Sequence, residues 1–110
     1  MMAYVRVASV SDVPEGKMKQ VDLNGKPVML ANVGGTIHAI GGLCTHQQGV
    51  LANGTLSGNV VTCPRHGSQF DVQTGKNIIG PKVMGIRFKT PDEPSFEVKI
   101  EGSDVLLKAD

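Results

Sequence analysis

Any fold of this chain must accommodate two short runs, Cys44-Thr45-His46 and Cys63-Pro64-Arg65-His66, separated by sixteen residues. Both cysteines of the protein and two of its three histidines lie in them. Thiolate and imidazole donors suit zinc or iron–sulfur centres, and one of each per run points to a metal centre shared between two loops. A disulfide between the cysteines is the competing use of the pair and would suit an exported protein. The histidine close to each cysteine favours metal.

The rest of the chain reads as short strands between turns. Fourteen Gly and six Pro among 110 residues leave no apolar stretch of helical period long enough for a sizeable helix. With no Trp, one Tyr and three Phe, the core has to be built from Val, Ile, Leu and Met. The length fits one domain covering residues 1–110. A formal charge of +1 without a block of like charges gives no footprint for nucleic acid, and Lys17, Lys19 and Lys26 read as a solvated strand face. The start, Met1 to Val7, has no apolar run of the secretory kind, and no stretch approaches the roughly 18–20 apolar residues of a spanning helix. The expectation is a soluble, cytoplasmic protein without a membrane anchor.

Along the chain, Ala3 to Ala8 alternates, and Met18 to Leu23 is a second candidate strand. Asn24-Gly25 after it is a strong hairpin signal, because both residues tolerate positive φ. Pro27 to Val33, the turn Gly34-Gly35 and Thr36 to Ile40 complete a three-stranded meander that Gly41-Gly42 ends just before the first ligand run. Leu56 to Thr62 reads as a hairpin between the ligand loops, and Ser68 to Val72 as a strand ending at Thr74-Gly75. Lys82 to Lys89 is expected to resume the outer sheet; Phe96 to Glu101 then pairs with Asp104 to Lys108 through Gly102-Ser103. Ser11 or Asp12 can cap one short helical turn. The fold class is all-β, with a ligand-bearing excursion at about residues 42–82 inserted between outer strands.

Structural zinc usually recruits pairs spaced C-x₂₋₄-C and H-x₃₋₅-H, whereas each pair here is mixed. Two adjacent loops that each deliver one Cys and one His can instead hold a two-iron cluster, both thiolates on one iron and both imidazoles on the other. In this pattern of C-x-H followed by C-x-x-H the sequence resembles Rieske [2Fe–2S] proteins. The likeness extends to Cys63-Pro64, His66-Gly67, Phe70-Asp71 with Thr74-Gly75, and Gly80-Pro81, which is similar to the family's third, cluster-covering loop.

The resemblance implies antiparallel sheets forming a sandwich or barrel-like base with a small cluster-binding subdomain, and one [2Fe–2S] cluster as cofactor. It implies that Cys44 and Cys63 bind the inner iron and that His46 and His66 bind the outer iron through Nδ1, leaving their Nε2–H edges at the surface. Gly67, Ser68, Phe70 and Pro81 would surround the cluster, with Ser68 able to bond a bridging sulfide. Gly42, Gly49 and Gly67 fit either close approach of backbone amides to the sulfides or ordinary turns. Gln47, Gln48, Val50 and Leu51 follow His46 and are the expected docking rim, although Leu51 could equally anchor the loop inward. Arg65 could set local charge, contact a partner or simply be exposed. His38 is expected on a strand surface, outside any site, and the five Met read as core filler.

The function implied is that of a monomeric one-electron carrier, a Rieske-type ferredoxin between a ferredoxin reductase and a terminal oxygenase or other redox enzyme. The alternatives are the small Rieske subunit of a larger reductase complex, as in nitrite reductases, and a colourless Cys₂His₂ zinc module. A catalytic oxygenase would need a further site of two His and a carboxylate, which His38 alone cannot supply. Two imidazoles in place of two thiolates make the oxidised site less negative, which raises this class to about −150 to +300 mV against about −400 mV for plant-type ferredoxins. Within the class, the respiratory-complex branch carries a disulfide where Gly49 and Arg65 stand, and a tyrosine where Phe70 stands. Fewer donors to the reduced centre lower the potential, so a ferredoxin-type midpoint at or below roughly 0 mV is expected.

Overall fold

The computed structural model describes residues 3–44, 49–65, 67–80, 82–87 and 90–109. Its centre is a strand buried on both faces. Within β3 (Lys26–Val33) the consecutive residues Val28, Met29, Leu30 and Ala31 are all fully buried. Successive side chains of a strand point to opposite sides, so this unbroken apolar run can only be satisfied by a layer packed on each face of its sheet. Val28 and Leu30 enter one core, and Met29 and Ala31 enter the other.

The sheet of β3 has the order β11-β4-β3-β2, with β2 at Met18–Leu23, β4 at Thr36–Gly41 and β11 at Ser95–Phe96. Its first face packs on an outer sheet of order β1-β13-β12, formed by Ala3–Ser9, Asp104–Ala109 and Val98–Glu101. Ala8, Val105 and Leu107 of that sheet meet Leu23, Leu30 and Ala39 in a core whose buried residues are aliphatic, with Phe96 packed at its margin. The other face packs on a third sheet of order β5-β6-β7-β8, at Thr55–Ser57, Val60–Thr62, Gln69–Asp71 and Asn77–Ile79. Val61 and Phe70 from it, with Leu51 and Val72 beside them, close over Met29 and Ile40. Each such side chain buried from water is worth about 1.5–3 kcal/mol. The architecture is all-β and antiparallel, as expected. Among the described residues the helices are two single 3-10 turns, Val10–Asp12 and Leu51–Asn53.

Asn24-Gly25 and Gly34-Gly35 turn the meander as expected, with Leu23 paired to Lys26 and Val33 to Thr36. Three expectations are corrected. Lys82 to Lys89 does not rejoin the outer sheet: Lys82–Val83 and Ile86–Arg87 form β9 and β10 of a separate two-stranded hairpin, and Phe88 and Lys89 lie outside the described residues. The chain reverses at Met84-Gly85 before either strand is long enough to join, and β11 occupies the edge beside β4. Phe96 to Glu101 is not one strand. Ser95–Phe96 pairs with β4, and Val98–Glu101 pairs with β13, so the chain changes sheets at Glu97. Finally, the first 3-10 turn is capped by Ser9, whose amide donates to Asp12 Oδ2 at 3.0 Å, rather than by Ser11 or Asp12.

A strap from Asp92 to Pro94 ties the third sheet to the middle one. The Asn77 amide donates to Asp92 Oδ1 at 2.8 Å, the Glu93 amide to Gly75 O at 2.7 Å and the Gly41 amide to Pro94 O at 2.9 Å. It holds the end of β4 where the first ligand loop departs.

Candidate metal centre

Each cysteine opens a loop of the same size. The Cys44 amide donates to Gly49 O, and the Cys63 amide to Ser68 O, both at 2.7 Å and both five residues ahead. The first loop grows from the end of β4. Gly42 N donates to Pro27 O at 3.0 Å, Leu43 bridges to Val50, and Leu51 N donates back to Gly42 O at 3.0 Å. The second loop is the connection of the β6–β7 hairpin, where Thr62 faces Gln69. Two β-hairpin tips therefore present Cys at matching positions, which is a local consequence of ladder pairing on either side of each loop.

The two tips meet. A Cβ placed on Gly49 would lie 3.0 Å from Cys63 Sγ and 3.0 Å from Arg65 Cγ, closer than a side-chain carbon tolerates without displacing its neighbours. Glycine at position 49 lets the first loop lie this close to the second cysteine without shifting Cys63 Sγ or the Arg65 stem. Gly42 serves packing instead, because its Cβ would sit 3.0 Å from the Pro27–Val28 backbone. Cys44 and Cys63 are 2% and 3% exposed, belong to one buried cluster, and form no disulfide.

Around them, Phe70 is fully buried in the same cluster. Gly67 has φ +76° and donates its amide to Cys63 O at 3.3 Å. Ser68 is 1% exposed, and among the described residues its Oγ has no hydrogen-bond partner. A buried hydroxyl without a partner costs about 1–3 kcal/mol, so an acceptor beyond the described residues would stabilise this position. Soft thiolates, a buried donor in the second loop and a space kept free of Cβ fit an inorganic sulfide cluster.

His46, His66, Gln47, Gln48 and Pro81 lie outside the described residues. Leu51 is corrected as a rim residue and takes the inward reading: it is fully buried, with its 3-10 turn lying against β2 and β3, and cannot line a docking rim, whereas Val50 is half-buried. Arg65 is exposed with its stem over Gly49. His38 is half-buried in β4 opposite Ala31. The sequence reading missed Glu93, a 5% exposed acid in the strap; its one signal was the pair of prolines, Pro91 and Pro94, around Asp92-Glu93. A surface cleft of about 640 Å³ between Leu23, Lys26, Phe96 and Lys108 contains none of the predicted site residues.

Two Cys-bearing hairpin tips over a three-layered antiparallel framework define a Rieske-type domain. The Rieske [2Fe–2S] domain family matches residues 3–106, and the chain belongs to that family. Within it, the chain is similar to the ferredoxin component of the naphthalene 1,2-dioxygenase/salicylate 5-hydroxylase systems of Ralstonia sp, at 38% identity over 105 residues, covering 96% of this chain and 94% of the relative. The Sphingomonas yanoikuyae B1 ferredoxin superposes with a TM-score of 0.82 at 26% identity, covering 98% of this chain and 100% of that one. A chain in the complex of reduced oxygenase and oxidised ferredoxin of carbazole 1,9a-dioxygenase superposes with a TM-score of 0.81 at 31% identity, covering 94% and 91%. Among the described residues no helix is long and apolar enough to cross a membrane.

Proposed function

We propose that this protein is a one-electron carrier, a cytoplasmic ferredoxin component that takes electrons from a ferredoxin reductase and delivers them to a terminal oxygenase. In this reading residues 42–82 hold one [2Fe–2S] cluster, with the Cys44 and Cys63 thiolates on one iron and the His46 and His66 imidazoles on the other. The cluster, when bound, supplies reversible one-electron transfer. The polypeptide does the rest. Its cysteines are shielded from water, Ser68 offers a hydroxyl to a sulfide, and each loop contributes one imidazole. The observation that carries the reading is the meeting of two equal Cys-bearing loops at Gly49, with the Ser68 hydroxyl buried in the second loop and without a partner among the described residues. The ferredoxin-component relatives of nearly the same length support a carrier rather than an enzyme. Reconstitution with a reductase and the naphthalene-system oxygenase tests it: turnover should require this protein, and turnover at the same rate without it would contradict the proposal.

Phe70 also sets an expectation for potential. A phenylalanine ring brings no donor to the reduced, more negative centre, so the midpoint should lie at or below roughly 0 mV. Protein-film voltammetry giving a value well above about +100 mV would contradict this. Phe70→Tyr should raise the midpoint by some tens of millivolts, up to about 100 mV if the hydroxyl gains a full charge-assisted bond. An unchanged midpoint would remove Phe70 as a determinant.

A further inference from the structure

Among the described residues five two-residue connections join antiparallel strands: Asn24-Gly25, Gly34-Gly35, Gly58-Asn59, Met84-Gly85 and Gly102-Ser103. The first residue of each has positive φ, at 52°, 62°, 59°, 52° and 60°. This is the conformation that matches the twist of the flanking strands, and Asn or Gly adopts it at low cost. Four of the five turns use Asn or Gly there. The fifth uses Met84, whose side chain is 95% exposed.

Methionine is a poor residue for that position in the isolated protein. Its Cβ opposes the positive φ, and its thioether side chain gains nothing from water. Asn24-Gly25 makes a closely similar turn, φ 52° and 91° against 52° and 81°, with the residue the geometry prefers. Strain and exposed apolar surface placed together at one tip are offset when a partner covers the side chain. The surroundings agree. Of the five large apolar side chains exposed among the described residues, four lie on one nine-residue segment: Ile78, Ile79, Met84 and Ile86, at 49%, 38%, 95% and 59%.

That segment runs through Gly80-Pro81, the pair similar to the loop that covers the cluster, so an electron acceptor docked at that loop desolvates the same segment. We infer that Met84 and Ile86, with Ile78 and Ile79, form an apolar knob that inserts into an apolar pocket of the oxygenase receiving the electron. The inference rests on the proposed function. The occupant is assigned to the acceptor because a chain of this fold, 31% identical, occurs in a complex of oxygenase and ferredoxin. Methionine suits the role, since its flexible, polarisable side chain fills an irregular pocket at little cost in fit.

Met84→Asn tests this in the holoprotein, because Asn satisfies the turn and removes the apolar side chain. Ile86→Thr keeps a β-branched residue in the strand and serves as the second variant. Both should keep the visible spectrum of the wild type, and Met84→Asn should melt at the same or a higher temperature. With the terminal oxygenases of the naphthalene and carbazole systems, the KM for Met84→Asn should rise about tenfold with kcat unchanged, and Ile86→Thr should move the same way. The KM at the reductase should stay as in wild type. An unchanged KM at the oxygenase for both variants overturns the knob while leaving the carrier function standing. An equal rise at the reductase overturns its assignment to the acceptor. Failure of the wild-type protein to support either oxygenase overturns the proposed function and the occupant with it.

Discussion

Cys63→Ser should yield protein with neither iron nor acid-labile sulfide, and amides through residues 42–82 should exchange at least about tenfold faster than in the wild type. A serine alcohol stays protonated at neutral pH and does not replace a thiolate on iron. The effect should be confined, and the reason is the division of the core. The cluster of side chains that joins the middle and outer sheets contains neither cysteine and draws on Leu30, Ala39, Val105 and Leu107. The second cluster contains both cysteines, together with Leu51, Val61 and Phe70. Losing a ligand therefore loosens the third sheet and its two loops while the β2–β3–β4 meander and β1–β13–β12 keep their protection. Hydrogen exchange read by mass spectrometry with and without iron decides the matter; equal protection of residues 42–82 in both would show that the loops hold without the cluster.

Phe70→Ala should cost about 3–5 kcal/mol, the range for removing a fully buried aromatic ring, and lower the thermal midpoint by roughly 10–20 °C. Phe70 heads the largest fully buried side chains and stands in β7 directly after the second loop, opposite Val61. Among the described residues of the core cluster that joins the middle sheet to the cysteine-bearing one, it is the sole aromatic, the others being aliphatic or sulfur-containing. The cavity left by alanine cannot be closed by aliphatic neighbours fixed in two sheets. The same variant should also lose iron faster to a chelator, because Phe70 belongs to the buried cluster that contains both cysteines. Urea unfolding of the holoprotein measures the first effect, and a loss below about 1.5 kcal/mol would mean that Phe70 is not the pin between the sheets.

Both expectations draw on features that were partly legible in the chain. The meander could be read because its turns use residues with one conformational purpose, Asn24-Gly25 and Gly34-Gly35, and because Val28 to Ala31 is apolar without a break. That unbroken run also held the information that the sheet is covered on both sides, although alternation elsewhere pointed to a one-sided layer. Lys82 to Lys89 misled because an eight-residue run with Val83, Ile86 and Phe88 has strand composition, while the reversal at Met84 depends on a positive φ that methionine does not advertise. The switch of sheets at Glu97 and the short strand Asn77–Ile79 are set by which edges are open in three dimensions. No local propensity encodes that. Glu93 is charged and flanked by prolines, so it reads as solvent-facing loop until the strap is seen folding it under Gly41.

For the centre, residue type and spacing identified the four candidate donors, and the fold adds the means of bringing two of them together. Cys44 and Cys63 share one buried cluster, and the first loop approaches Cys63 at Gly49, which has no side chain to hold it away. Position 49 fits close approach of the backbone or a turn, and it is also the place where the respiratory branch holds a cysteine. Its neighbour across the gap is Arg65, the other such place, so the two positions face each other here without any sulfur to join them. Leu51 shows the limit of reading a rim from adjacency in sequence: a few residues beyond a loop tip, the chain has already returned to the core.

The central claim is that two cysteines and two histidines of this chain hold a two-iron, two-sulfide cluster that carries single electrons. EPR of the dithionite-reduced protein, taken with iron and sulfide counts on the same sample, tests it most directly. Two irons and two acid-labile sulfides per chain are expected, with a signal that appears only on reduction and nitrogen couplings from two imidazoles by ENDOR. Stoichiometric zinc with no signal, or a reduced cluster without nitrogen coupling, would contradict it.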